Sequence, residues 1–226
     1  MKQLILMHGA IGGADQLVPL QELLKDDFEV HLLEFAGHGK LASNTDDFSI
    51  DRFNSQLDQK LDEIGEPSHV FGYSMGGFIA LLNAANDPGK IKSLITLGTK
   101  MEWNAEIAAR EVKQLNPDVI ESKVPKFAQA LERRHGNYWR QMLSKTADFM
   151  LQLGEMRPMQ EAVLANIKIP VKLCLADQDK MVSQEETLQV AQWIANCDFE
   201  LIRDSKHPIE QVDLMVLANT IKSFAV

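Results

Sequence analysis

His69-Val70-Phe71-Gly72-Tyr73-Ser74-Met75-Gly76-Gly77 joins an apolar run to a helical pattern. Residues 69–71 read as a short buried strand. From Met75 onward Ile79 and Leu82 share one helix face, until Asn86-Asp87-Pro88 ends the pattern. Between strand and helix lies G-x-S-x-G, Gly72 to Gly76. A turn this sharp holds the serine in a strained conformation with its hydroxyl exposed, and its glycines let neighbouring backbones approach closely. The alternative is a glycine-rich turn with an incidental serine, and the strand before and helix after argue against it.

The rest of the chain repeats this rhythm. Strand-like runs lie at 3–7, 28–34, 91–97, 171–175 and 199–203, mostly continuous apolar stretches rather than alternations. Such runs suit strands buried on both faces of a parallel sheet. Helical stripes fall between them: Leu17, Leu20 and Leu24; Phe53, Leu57, Leu61 and Ile64; Leu188, Ala191 and Ile194; Val212, Met215 and Phe224. Ser183-Gln184-Glu185-Glu186 is a capping box that opens the third of these. Strand–helix alternation predicts right-handed crossovers and a doubly wound α/β sheet. Residues 101–168 break the rhythm with helical but no strand pattern. They are too long for a connection and predict a helical lid inserted into one domain, whose core is 1–100 and 169–226.

Composition narrows the function classes. The 226 residues carry 23 Lys plus Arg against 32 Asp plus Glu, a net charge of −9. An acidic chain without a basic tract does not offer a phosphate-binding face to DNA or RNA. No apolar run approaches a membrane span, and the apolar start is too short for a signal peptide, so no membrane association and a cytoplasmic location are the expectation. Cys174 and Cys197 form neither a disulfide framework nor a metal site. No paired Cys/His spacing appears, and the glycines of 9–13 fit neither G-x-G-x-x-G nor a P-loop, so no metal or nucleotide cofactor is expected.

A serine on such a turn needs a base and a carboxylate. His207 follows the last strand, and Asp177, Asp179 and Asp204 are all candidate acids.

Several motifs together resemble the α/β-hydrolase superfamily over nearly the whole length. His8-Gly9-Ala10-Ile11-Gly12-Gly13 resembles its H-G-x-x-G oxyanion loop, and Glu34-Phe35-Ala36-Gly37-His38-Gly39 its D-x-x-G-H-G turn with Glu for Asp. Residues 169–182 resemble its acid-bearing strand with Ala176 for Gly, and Ser205-Lys206-His207-Pro208 its histidine loop with Lys206 for Gly. The resemblance implies a sheet of about six strands in order 2-1-3-4-5-6, lacking the N-terminal β-hairpin many members carry. It implies a Ser74–Asp179–His207 triad, with Asp177 a turn residue and Asp204 serving its own loop. It also implies an oxyanion hole from the backbone N–H groups of Ala10 and Met75. His8 would order the oxyanion loop, and His31, His38, His69 and His135 would be structural.

Residues 101–168 hold 9 acidic and 10 basic residues, so the lid is at +1 and the core at −10. Arg133, Arg134 and Arg140 beside Tyr138 and Trp139 either bind an anionic substrate group or form a solvated face. Trp103 and Trp139 are candidate pocket residues, with Met142, Phe149 and Met150 weaker ones. The expected function is hydrolysis of a small or medium carboxylic ester or thioester through an acyl-enzyme. C–C hydrolysis, acyl transfer or elimination on the same fold, and a non-catalytic binding protein, are the alternatives.

Overall fold

The computed structural model describes residues 1–87 and 89–225. Six strands, β1 (Lys2–Met7), β2 (Phe28–Leu33), β3 (Ser68–Tyr73), β4 (Ile91–Leu97), β5 (Val171–Ala176) and β6 (Cys197–Ile202), form one sheet. Its order is β2-β1-β3-β4-β5-β6, and every neighbouring pair is parallel. This is the expected order, with the switch of direction between β1 and β3, where ligands of open α/β sheets gather.

The helices are α1 (Val18–Leu24), α2 (Ile50–Ile64), α3 (Met75–Asn86), α4 (Ala105–Glu111), α5 (Pro117–Lys123), α6 (Pro125–His135), α7 (Trp139–Met156), α8 (Glu161–Leu164), α9 (Gln184–Trp193) and α10 (Leu214–Phe224). Strand alternation sorts them onto two faces. Leu4 and Leu6 of β1 pack with Leu20 and Leu24 of α1 and Leu217 and Ile221 of α10. Ile5 and Met7 join the other cluster, with Phe53 and Leu57 of α2, Ile79 of α3 and Val190 of α9. The central strands are buried on both sides, as their continuous apolar sequences require.

Local signals account for the helix ends. Ser49 caps α2 by accepting from Arg52 N–H, and Gly65 stops it in a left-handed conformation (φ 75°). Ser183 and Glu186 form the predicted capping box. β1, β2 and β5 differ from the sequence reading by one residue at one end, and β3 and β6 differ by more. β3 runs on through Gly72 and Tyr73, so the strand continues to the residue before Ser74. β6 starts at Cys197, two residues earlier than expected. It is an edge strand with a half-exposed pattern, so it lacks a continuous apolar run.

Between β4 and β5 the chain forms α4 to α8. Trp103, Ala108, Leu131, Leu143, Phe149 and Leu153 from this interval belong to the same apolar cluster as α2 and α3.

Candidate active site

Ser74 stands between β3 and α3 with φ 51° and ψ −113°, a strained conformation for a residue with a side chain. Neighbours hold it there. Its N–H donates to Leu97 O at 2.8 Å, and its carbonyl accepts from Thr99 Oγ1 at 3.1 Å. Both partners lie at the end of β4. Gly76 allows the close approach on the other side. A Cβ there would lie 2.6 Å from Met7 O and 2.9 Å from His8 O.

His207 Nδ1 and Asp179 Oδ2 are 2.7 Å apart. Asp179 Oδ1 is held by Met181 N–H at 2.8 Å and Val182 N–H at 3.0 Å. Burial works to raise the carboxyl pKa, but the His207 bond and charge, with those two N–H donors, outweigh it and hold it below the usual carboxylate range. An ionised Asp179 takes the Nδ1 proton as a hydrogen bond, which leaves Nε2 free to accept a proton. Gly98 passes beside the pair in a left-handed conformation (φ 60°), where a Cβ would sit 3.2 Å from His207 Nδ1 and 3.3 Å from Asp179 Oδ2.

The other two candidate acids lie elsewhere. Asp177 Oδ1 accepts from Ser205 N–H at 3.1 Å, tying the end of β5 to the histidine loop. Asp204 is exposed in a left-handed turn (φ 53°). Tyr73 was missed in the sequence. Its hydroxyl donates to His207 O at 3.0 Å, and its ring lies 5.6 Å from the imidazole. Adjacency to Ser74 was its only signal.

Ala10, Ser74 and Met75 open onto one cavity, whose walls are Phe78, Lys100, Trp103, Thr146, Phe149, Met150 and Leu153. Its volume is about 40 Å³, room for a few waters and far below that of a drug-sized site. Among the described residues, no group accepts a hydrogen bond from the N–H of Ala10 or of Met75. Both therefore remain available to a ligand.

Trp103 lines the cavity, and its Nε1 donates to Lys100 O at 3.2 Å. Trp139 is a correction. It opens α7 buried in the packing of the helical interval, outside the cavity wall, with the Arg140 guanidinium 4.8 Å above its ring. Phe149 and Met150, the weaker candidates, do line the cavity; Met142 is core. The arginines face other partners. Arg134 meets Asp15 at 2.9 Å, while Arg140 pairs with Asp118 at 2.7 Å and with Glu121. Neither reaches the cavity. The basic side chain that does is Lys100, whose ammonium stands 3.3 Å from Glu186. A second cleft of about 710 Å³ shares Trp103 with the cavity and is lined also by Met101, Glu102, Met159, Glu185 and Trp193.

His8 orders the loop after β1 as predicted. Its Nε2 lies 3.1 Å from Phe35 N and 3.3 Å from Glu34 Oε1, and its Nδ1 lies 2.8 Å from Gly9 O. Glu34 stands beside it and accepts from Ala14 N–H at 2.8 Å and Lys40 N–H at 3.3 Å. Burial raises the Glu34 pKa, yet contact with His8 and these donors bring it down to about 2. Among the described residues, no group of three or more His, Cys, Asp and Glu side chains is placed to hold a metal ion. No helix there is long and apolar enough to cross a membrane.

Residues 2–157 match the family model of the alpha/beta hydrolase fold. The chain is 22% identical to human monoacylglycerol lipase ABHD6, over 91% of this chain and 70% of that one. It is 29% identical to the pimeloyl-[acyl-carrier protein] methyl ester esterase of Aliivibrio salmonicida, over 49% of this chain and 41% of that one. Among solved structures, the enol-lactonase of Burkholderia xenovorans superposes with a TM-score of 0.81 at 14% identity, covering 99% of this chain and 91% of that one. With its sheet order, its strained serine turn and the family match in agreement, this chain belongs to the alpha/beta hydrolase fold family and is an enzyme of the hydrolase type.

Proposed function

We propose that the chain hydrolyses a carboxylic ester or thioester with a small or medium acyl group, through an acyl-enzyme on Ser74. The observation that carries this is a strained Ser74 in the wall of an apolar cavity that Ala10 and Met75 also line, their backbone N–H groups unengaged among the described residues. Ser74 Oγ attacks the acyl carbon, and its proton passes to His207 Nε2. Asp179 fixes the imidazole tautomer and stabilises the imidazolium. The tetrahedral oxyanion accepts from Ala10 and Met75 N–H, the latter at the N-terminus of α3. His207 returns the proton to the leaving alcohol or thiol as it departs. A water then attacks the acyl-enzyme by the same route in reverse.

The cavity supports this substrate class. Phe78, Phe149, Met150 and Leu153 offer an apolar wall with no anion site, apart from Lys100 beside Glu186. The interval 101–168 serves as the lid: Trp103 ahead of α4, with Thr146, Phe149, Met150 and Leu153 of α7, forms much of the cavity wall, and these residues must shift to admit more than a short acyl group. The relatives named above as lipase and esterase support ester chemistry.

A fluorophosphonate probe and a p-nitrophenyl ester series of increasing chain length test this. Wild type is expected to label and to turn over the short esters fastest, while Ser74→Ala does neither. An unlabelled wild type, or a Ser74→Ala chain that labels or turns over equally, overturns the proposal.

A further inference from the structure

His135 ends α6 in the interval between β4 and β5, yet its imidazole is only 2% exposed and binds two loops of the sheet edge. Gly39 N–H, in the turn after β2, donates to its Nδ1 at 2.9 Å. That bond requires an unprotonated Nδ1, so the ring proton is on Nε2. Nε2 lies 3.0 Å from Ile11 O in the loop after β1 and donates to it. Ile11 is the residue after Ala10, and it holds a left-handed conformation (φ 55°) that a β-branched residue rarely adopts. Such a conformation persists only where its surroundings fix it. The other fixed point is the turn Gly12 N–H to Gly9 O at 3.2 Å. The peptide carrying Ala10 N–H thus sits inside a turn whose far carbonyl is gripped by one buried imidazole. Burial, with the charge of Arg134, holds His135 below the ordinary histidine pKa, though its bond to Ile11 O opposes this. The Gly39 N–H bond requires a neutral ring, the form that can accept and donate at once.

We propose that His135 is a positioning residue that aims Ala10 N–H at the oxyanion, and that it makes docking of α6 a condition for a complete oxyanion hole. This rests on the serine-hydrolase reading given above. An N–H that is misplaced binds the ground-state carbonyl nearly as well and the oxyanion worse, so the loss falls on kcat.

The test uses two substitutions of similar size that divide the two bonds. In His135→Asn the amide oxygen falls near the place of Nδ1, which keeps the Gly39 bond and loses the Ile11 bond. In His135→Gln the amide nitrogen reaches the place of Nε2 and keeps the Ile11 bond. With p-nitrophenyl acetate, His135→Asn is expected to lose about 30-fold or more in kcat with KM within about threefold, while His135→Gln stays within about fivefold of wild type. Equal kcat values for the two variants, or a loss carried by KM alone, overturn the proposal. If His135→Asn does not melt cooperatively, His135→Gln decides alone: a loss beyond about 30-fold in the folded variant overturns it, and retention supports it. Wild type is assayed first with the fluorophosphonate. Failure to label there defeats the hydrolase reading itself and takes this proposal with it, whereas labelling followed by equal variants defeats this proposal only.

Discussion

The C-terminal edge of the sheet and the helices between β4 and β5 are held together by different kinds of contact. At the sheet edge, backbone touches backbone. Ser74 N–H reaches Leu97 O, Gly98 N–H reaches Cys174 O, and Gly76 leaves no room for a Cβ against Met7 O. The helical interval meets the core mostly through side chains: Trp103, Phe149 and Leu153 in the apolar cluster, Lys145 on Asp47, Arg134 on Asp15. It has a close backbone approach of its own at Gly154, where a Cβ would lie 2.8 Å from Asn104 O, but that contact joins α7 to the turn before α4 and not to the strands. Backbone contacts tolerate little change and hold reacting groups in place. Side-chain contacts can be exchanged, so substrate preference can vary without loss of the chemistry. Substitutions at the edge should therefore lower kcat or stability broadly, and those in the helices should shift selectivity, save at His135, whose side chain grips the loop after β1.

The sharpest attempt to break this contrast is Asp179→Asn. The amide keeps the volume and can still meet His207, but it stabilises the wrong imidazole tautomer, and a loss of about 10⁴ in kcat is expected. A loss below about 100-fold, measured with a short p-nitrophenyl ester, would mean that Asp179 is not the working acid. Gly76→Ala comes next. Its Cβ would press on Met7 O and Met7 Cβ at 2.6 and 2.8 Å, and neither β1 nor α3 can move without its neighbours. A cost of about 3 kcal/mol in urea unfolding is expected, together with lower kcat because Met75 N–H moves with the helix start.

Glu34 probes the edge by pH. Its pKa falls from 4.5 to about 2 on folding. A depressed carboxylate adds stability that is whole above pH 4.5 and is lost as the pH falls toward 2. The shift corresponds to at most ~3 kcal/mol, reasonable for a side chain only 16% exposed. Thermal melts of wild type and Glu34→Gln should differ most near neutrality and converge toward pH 2. Parallel curves would show that Glu34 acts through packing alone. His38, His69 and His135 are likewise held below the ordinary histidine value by burial. They add a loss of stability that begins as the pH falls through 6.5, so the Glu34 comparison is read between variants at each pH.

Much of the edge was legible in the sequence because its residues are local. Gly72 to Gly76, residues 8–13, and Asp179 with Val182 are contiguous patterns, and backbone constraints fix which residue types can occupy them. What was not legible depends on which distant loops meet. Tyr73 is a plain aromatic until its hydroxyl finds His207 O across the fold. His135 reads as a helix end until α6 docks between the turns after β1 and β2. Trp103 and Trp139 were indistinguishable as apolar residues at helical spacing. Trp103 precedes α4 and faces the cavity, while Trp139 starts α7 and turns into its packing. Of the arginines for which anion binding was one reading, Arg134 and Arg140 instead pair with acidic neighbours that only the fold brings close.

Trp103 offers the mildest and most specific test of the contrast. It lines both the small cavity beside Ser74, about 40 Å³, and the larger cleft of about 710 Å³, and so stands where the two spaces meet. It is buried, and its one polar atom is bonded to Lys100 O, so truncation leaves only that carbonyl without a partner. Trp103→Ala should therefore join the two spaces without touching Ser74, Asp179 or His207. The ratio of kcat/KM for an octanoyl over an acetyl p-nitrophenyl ester should rise by about tenfold, roughly 1.4 kcal/mol, and kcat for the acetyl ester should stay within about threefold. If the acetyl ester loses as much as the octanoyl, Trp103 supports the reacting groups instead of bounding the acyl chain, and the division between a fixed edge and an adjustable helical layer fails at the residue where the two regions meet.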